Sequence, residues 1–139
     1  MPNTRVIVLV DTKAIEFDQT DKKENSVIFY DNRLDPPGNG KNFKSFINRG
    51  KKITWKGRVM GSIWDLDDED FAKDSVDIIK VEYTSGAHLL KKDTYTGTKT
   101  VVGEVKDDDE VGIENYAITI KVCRAGKIKE YRIDPKMHK

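Results

Sequence analysis

The chain has 139 residues, a length that suits one domain with a sizeable core, and charged residues make up 35% of it. Hydrophobic residues make up 37% and occur in clusters, which excludes an intrinsically disordered chain. No apolar run approaches the roughly 20 residues that a membrane helix needs. We therefore expect a single domain over residues 1–139 that has no membrane partner.

The net charge of +1 conceals an uneven distribution of charge along the chain. Residues 1–60 carry 12 basic and 7 acidic side chains, whereas residues 61–139 carry 13 basic and 17 acidic ones. Opposite charges on two regions of one small domain favour association between copies of the chain. We therefore expect a homo-oligomer.

Short runs of β-branched and aromatic residues recur along the chain, separated by clusters of Gly, Asn, Asp and Pro. This pattern is typical of an all-β sandwich or barrel. We predict a two-sheet antiparallel sandwich, with at most one or two short helical turns in the acidic segment 65–74. The predicted strands cover residues 4–11, 25–31, 42–48, 51–59, 76–84, 98–105, 113–123 and 127–133.

The hydrophobic pattern within each run predicts which strand faces are buried. Residues 6–10 are uninterruptedly apolar and residues 76–83 largely so, which predicts that both of their faces are covered. The other strands alternate, and in 113–123 we expect one set to point inward: Tyr116, Ile118, Ile120 and Val122. The sequence RAG at 124–126 predicts a tight hairpin between the last two strands.

The segment FINRGKKITWKG (46–57) places a glycine-containing turn before a basic strand. Its period predicts that Ile53 and Trp55 face the core, while the basic side chains form a stripe on the opposite face. This stripe suits a solvated face protected against edge pairing, or an assembly face between copies. Nucleic-acid binding is disfavoured because it needs aromatic residues on the exposed face. The predicted assembly-face residues are Lys51, Lys52, Lys56 and Arg58.

The acidic run that begins at Asp65 has oxygen ligands at alternate positions, as a calcium loop does at its start. Asp70 stands where an EF-hand needs glycine and Val76 where it needs glutamate, which excludes an EF-hand. An irregular calcium site, a lectin-like carbohydrate site or a solvated loop remain alternatives for this run. The second acidic run, 107–110, could add ligands. The candidate residues for binding a carbohydrate or small ligand are Trp64, Asp65, Asp67, Asp68 and Tyr95.

Residue types that catalysis would require are scattered through the sequence. His88, His138 and Cys123 show no triad spacing and no metal-ligand spacing. We therefore expect no enzyme activity, no metal and no cofactor. The single cysteine excludes an internal disulfide, and together with the lack of a signal-peptide pattern it favours a cytoplasmic location.

Three segments are informative in combination. VIVLVDTKAI (6–15) is an apolar strand that ends in Asp-Thr, FINRGKKITWKG (46–57) is similar to a tryptophan-containing segment of cupredoxin-like sandwiches, and YAITIKVCRAGKIKEYRIDPKMHK (116–139) is a hairpin that leads into Ile-Asp-Pro. In this order they resemble the PixA/AidA-type family of bacterial inclusion-body proteins. The resemblance implies a cytoplasmic, cupredoxin-like β-sandwich without established enzyme activity, whose members accumulate as intracellular inclusions.

The likeness to cupredoxins makes the copper ligands worth testing against the sequence. A blue-copper site needs two histidines, a cysteine thiolate and usually an axial methionine. After Cys123 the sequence contains neither histidine nor methionine before Met137. We therefore predict a sandwich without a metal centre that acts as a non-catalytic binding or self-assembling protein.

Overall fold

The computed structural model describes residues 3–60 and 74–139. Within these residues the chain forms ten strands and one 3-10 turn, Ile15–Phe17. No helix in this part of the chain has the length and apolar character that crossing a membrane requires. The strands are β1 (Thr4–Val10), β2 (Val27–Asp31), β3 (Lys44–Phe46), β4 (Lys52–Val59), β5 (Ser75–Gly86), β6 (Thr94–Thr96), β7 (Thr100–Glu104), β8 (Ile113–Arg124), β9 (Lys127–Ile133) and β10 (Lys136–His138).

The strands form two sheets, which confirms the predicted fold class. The first sheet has four strands in the order β2-β1-β4-β7. The second has six strands, in the order β3-β10-β8-β5-β6, with β9 also paired to β8. All eight predicted strands are present, whereas the three-residue strands β6 and β10 were not predicted. The predicted helical segment 65–74 lies, apart from Asp74, outside the described residues.

Both sheets are mixed rather than purely antiparallel, because each contains one parallel pair of strands. β1 runs parallel to β4, and β3 runs parallel to β10. Parallel neighbours require a long crossover between them. The sequence between β1 and β4, which includes β2 and β3, supplies such a connection.

The core lies between the two sheets and contains a tryptophan–tyrosine pair. Trp55 on β4 and Tyr116 on β8 are both fully buried. The Nε1 atom of Trp55 donates a hydrogen bond of 3.1 Å to the hydroxyl oxygen of Tyr116, so the two sheets are joined by a polar contact inside the core. Burial raises the pKa of Tyr116, which keeps its hydroxyl protonated.

A buried carboxylate organises the turn between the 3-10 helix and β2. The Asp18 carboxylate accepts hydrogen bonds from the backbone N–H and hydroxyl of Thr20, from the backbone N–H of Asn25 and from the hydroxyl of Ser26. Burial alone raises the pKa of Asp18, but these hydrogen bonds outweigh it and lower the pKa to about 2. The turn therefore holds Asp18 in its charged form.

Replacing Asp18 with asparagine is expected to lower the free energy of unfolding by about 1–2 kcal/mol near neutral pH, because an amide cannot satisfy the same donors. The folded-state pKa lies below the ordinary value of 3.8. The charged Asp18 therefore makes its full contribution to the free energy of unfolding above about pH 4, and this contribution is lost as the pH falls toward about 2. Urea unfolding at several pH values should show the gap between Asp18→Asn and wild type closing over this range. A gap that stays constant would contradict the role of Asp18, and Asp21→Asn, at an exposed position in the same loop, is the control.

Candidate functional site

The basic strand β4 presents its charges to solvent, as the period of the sequence predicts. Ile53 and Trp55 are fully buried, while Lys52, Lys56 and Arg58 are exposed. Lys51 is also exposed but precedes the strand, and its carbonyl accepts a hydrogen bond from the N–H of Val105. The structure therefore brings three of the four predicted assembly residues into one row on β4.

Apolar side chains from β1 and β2 lie beside this basic row. Ile7 is paired with Lys56 on one side and with Tyr30 on the other, and Leu9 is paired in the same way with Arg58 and Ile28. Residues paired across neighbouring strands project from the same face of a sheet. We call this surface of the four-stranded sheet the outer face; it comprises Arg5, Ile7, Leu9, Ile28, Tyr30, Lys52, Thr54, Lys56, Arg58, Thr100, Val102 and Glu104.

Exposure of the apolar residues distinguishes the outer face from an ordinary solvated sheet. Ile28 is 39% exposed and Val102 is 46% exposed, and Ile7, Leu9 and Tyr30 are half-buried. The prediction that both faces of residues 6–10 are covered is therefore wrong for Ile7 and Leu9 in the described structure. Ile7, Leu9, Ile28 and Tyr30 form an apolar stripe on one side of the row of cations, and Val102 on β7 lies on the other side.

Among the described residues, one acid lies beside the basic row: Glu104 on β7 is paired with Lys52, but its ion pair is with Lys91, 3.2 Å away. No ion pair in the described part of the chain involves Arg5, Lys52, Lys56 or Arg58. The six-stranded sheet differs, because Glu82 there lies 3.2 Å from Lys80 and 3.4 Å from Arg132. The outer face therefore keeps a net positive charge that a binding partner could neutralise.

Four of the five residues predicted to bind a carbohydrate lie outside the described residues: Trp64, Asp65, Asp67 and Asp68. Tyr95 is described and is half-buried on β6, packed against the core. Its hydroxyl oxygen accepts a hydrogen bond of 3.0 Å from the N–H of Lys92 and also contacts the backbone of Glu104. These contacts hold Tyr95 on β6 against the end of β7. The role of Tyr95 in ligand binding stays a prediction.

The second acidic run, 107–110, is engaged with basic side chains. The Arg49 guanidinium donates hydrogen bonds of 2.7 Å to both Asp107 and Asp109. The Asp108 carboxylate accepts the N–H of Glu110 and lies 3.3 Å from Lys139 Nζ, and these contacts lower the pKa of Asp108. Within residues 3–60 and 74–139, no group of three His, Cys, Asp or Glu residues is arranged to hold a metal ion.

The histidines and the cysteine occupy separate parts of the fold. The His88 ring stacks on Tyr83 with 3.7 Å between ring centroids. His138 on β10 is paired with Ile113 at the start of β8, whereas Cys123 lies ten residues further along that strand. At the rise of a β-strand this separation is about 33 Å. Cys123 and His138 therefore cannot bind the same metal ion.

The chain matches no family model and no curated protein sequence. It does superpose on the crystal structure of an inclusion body protein, PixA, from Burkholderia cenocepacia J2315. The TM-score is 0.69 and the sequence identity is 14%, and the match covers 99% of this chain and 94% of the other. The chain has the fold of PixA. The sequence resemblance is therefore confirmed at the level of the fold.

Similarity to PixA extends over nearly the full length of both chains, so the ten described strands belong to one shared architecture. At 14% identity the surfaces of the two proteins are largely different in sequence. The residues of the outer face are therefore interpreted from their own contacts and charges, and no residue role is transferred from PixA.

Sequence analysis missed one cluster of basic residues, at the far end of the β8–β9 hairpin. Arg124, Lys127 and Lys129 line a cavity of about 360 Å³ between this hairpin and the 3-10 turn. Alternation within β9 alone does not identify them, because the strand is exposed over most of its length. The register in which β9 pairs with β8 does identify them.

Proposed function

We propose that this chain is a non-catalytic, cytoplasmic, single-domain protein that assembles with copies of itself, as the description of PixA as an inclusion body protein suggests. The observation that carries the proposal is the outer face of the four-stranded sheet. It combines a partly exposed apolar stripe with cations that form no ion pair with any described residue. The lectin-like module that uses Trp64, the nearby aspartates and Tyr95 remains the alternative function.

The two parts of the outer face have different roles in the proposed contact. Burial of apolar surface supplies most of the free energy of association, at about 25 cal/mol per Å² removed from water. Ile28 and Val102 are exposed enough to lose considerable area when a partner covers them. Opposite charges mainly steer the encounter and fix its register.

Charge on the outer face also favours one type of symmetry. In a two-fold dimer formed by this face, Lys52, Lys56 and Arg58 would meet the same residues of the partner or lie close to them. A contact with an acidic surface of the next copy avoids this repulsion, and residues 61–139 carry the excess of acidic residues. Such head-to-tail contacts do not have to close and can extend into large assemblies.

Reversing the charge of the basic row should shift the protein toward monomer. We expect the variant Lys52→Glu, Lys56→Glu, Arg58→Glu to have a lower average mass than wild type in light scattering at low salt and high protein concentration. Raising the salt to about 1 M should have a similar effect on wild type, because the Debye length falls to about 3 Å. Far-UV circular dichroism checks that the variant is folded.

The matched control places the same charge change outside the outer face. Lys22, Lys41 and Lys44 lie in or near the loop before β3, and their replacement by glutamate should leave the average mass close to that of wild type. Equal dissociation of both variants would mean that net charge, not the outer face, governs association. Wild type that is monomeric at low salt would remove the proposal and leave the ligand-binding alternative.

A further inference from the structure

The β8–β9 hairpin presents basic side chains near its turn, on the face that packs into the core farther from the turn. Its two turn residues, Ala125 and Gly126, have φ values of 49° and 80°, which is the conformation of a tight type I′ turn. This turn fixes a register in which three pairs follow one another: Ile120–Tyr131, Val122–Lys129 and Arg124–Lys127.

The members of each directly opposed pair project from the same face of the hairpin. Ile120, Val122 and Tyr131 are buried, so this face is the inward one. Lys129 and the pair Arg124–Lys127 continue the same face toward the turn. At this end of the hairpin the face is no longer covered by the core, so Lys127 and Lys129 are exposed and Arg124 is half-buried.

The space in front of these cations is the cavity of about 360 Å³. Its apolar part consists of the buried side chains of Ile15, Val122 and Tyr131. Thr12 and Glu16 also line it, and Glu16 is the one carboxylate among the described lining residues. The volume lies at the small end of the range of about 300–1,000 Å³ that is typical of small-molecule sites.

Arg124 has its charge satisfied within the protein. Its Nη1 atom lies 3.3 Å from Asp74 Oδ2, and the side chain of Asp74 is fully buried. The Asp74 carboxylate also accepts hydrogen bonds from the hydroxyl of Thr12 and from the N–H of Ala125. Arg124, which lines the cavity, is therefore neutralised by Asp74.

The two lysines differ from Arg124 because neither forms an ion pair with a carboxylate of residues 3–60 or 74–139. Lys129 Nζ lies 5.3 Å from the centroid of the Tyr131 ring, and Lys23 Nζ lies 5.4 Å from the same centroid. The side chain of Lys127 forms neither a hydrogen bond nor an ion pair with any described residue. The cavity thus has an apolar floor and an excess of positive charge at its mouth.

We propose that this cavity binds a small organic anion. The apolar body of the ligand packs on Ile15, Val122 and Tyr131, and its acidic group lies at the ammonium groups of Lys127 and Lys129. An inorganic anion would leave the apolar floor unused, and a neutral hydrocarbon would leave the two lysines without a counter-charge. The site is distinct from the outer face and does not depend on self-assembly.

Three probes distinguish binding of the apolar body from binding of the acidic group, by fluorescence titration and competition. Anilinonaphthalene sulfonate joins an aromatic body to a strong acid, phenylnaphthylamine is the same body without the sulfonate, and inorganic sulfate is an anion without an apolar body. We expect saturable binding of the sulfonate probe at one site per chain. The neutral analogue should bind at least about tenfold more weakly, and millimolar sulfate should not displace the sulfonate probe.

The variant Lys127→Glu, Lys129→Glu should weaken binding of the sulfonate probe by about tenfold or more, since like charge then faces the sulfonate. Both lysines are exposed, so the fold should be retained, which circular dichroism checks. The control Lys41→Glu, Lys121→Glu has the same charge change outside the cavity and should bind within about twofold of wild type.

The outer face is the competing site for such a probe, because it too combines apolar and basic residues. The outer-face variant Lys52→Glu, Lys56→Glu, Arg58→Glu should therefore keep wild-type affinity for the sulfonate probe. The proposal is overturned if this variant or the control loses binding to the same extent as the hairpin variant. Equal affinity for the charged and neutral probes would overturn it as well.

Discussion

Replacing Trp55 with alanine should lower the free energy of unfolding by about 3–5 kcal/mol, the range for truncating a large core aromatic residue. Trp55 is fully buried, so its removal leaves a cavity between the sheets. The change also deprives the Tyr116 hydroxyl of its donor, the indole N–H at 3.1 Å. Because Tyr116 is fully buried too, water cannot readily replace that hydrogen bond.

Urea unfolding of two further variants distinguishes the effect of the lost aromatic volume from that of the lost indole hydrogen bond and checks the orientation of β4. Trp55→Phe keeps much of the aromatic volume but removes the indole N–H, and it should cost less than Trp55→Ala. Lys56→Gln, at the adjacent position on the opposite face of β4, should lie within about 0.5 kcal/mol of wild type. If Trp55→Ala is as stable as Lys56→Gln, the orientation of β4 described here is wrong.

The orientation of β4 could be predicted from sequence because a strand has a strict two-residue period. A shift of one residue would bury Lys52, Lys56 and Arg58 and expose Trp55, at a very high cost in free energy. The same reasoning predicts the buried side of β8 correctly. Strands within a longer β-type run are therefore recoverable from the sequence: eight of the ten described strands were predicted, including the three-residue β3, which lies within the predicted run 42–48.

Short strands carry too few residues to show this period. β6 and β10 have three residues each, and they form because a longer neighbour holds them. β10 lies between β3 and the first residues of β8, so its position depends on the pairing of distant segments. Such pairing cannot be read from local sequence, and for the same reason the parallel pairs β1–β4 and β3–β10 were missed.

The outer face was only partly predictable. Its basic row follows from the alternation of β4, but the apolar stripe consists of residues from β1 and β2 that the sheet order places beside that row. An uninterrupted apolar run such as 6–10 indicates a central strand, and β1 is indeed central in its sheet. The run does not reveal whether the second face of that sheet is covered.

One local signal could have predicted that the basic residues lining the cavity lie on the same face of the hairpin as Val122. A two-residue turn at Ala125-Gly126 pairs Arg124 with Lys127 and Val122 with Lys129. Since Val122 was predicted to point inward, its partner Lys129 had to lie on the same face of the hairpin, and it is exposed there. When the inward face of one hairpin strand is known from its hydrophobic pattern, the register of a tight turn identifies the corresponding face of the other strand.

Replacing Gly57 with alanine should lower the free energy of unfolding by about 1–3 kcal/mol, as expected for overpacking in a core. Gly57 follows Ile53 and Trp55 on the inward side of β4, where the strand approaches β5 of the other sheet. A Cβ atom at this position would lie 2.5 Å from the carbonyl oxygen of Val76 and 2.7 Å from its Cγ1 atom. Backbone cannot rotate away as a side chain can, so the two sheets would have to move apart.

Gly103→Ala is the matched control, because Gly103 lies in the same sheet on β7, opposite Ile53. A Cβ atom there would meet only side-chain atoms, at 3.2 Å from Trp55 and 3.3 Å from Ile53, and these can shift by a few tenths of an ångström. Both replacements remove a glycine from a strand, so the reduced entropy of the unfolded chain stabilises the two variants by the same amount. In urea unfolding, Gly57→Ala should therefore be the less stable variant. Equal stability of the two, or a Gly57→Ala variant as stable as wild type, would show that β4 and β5 are not in close contact at this point.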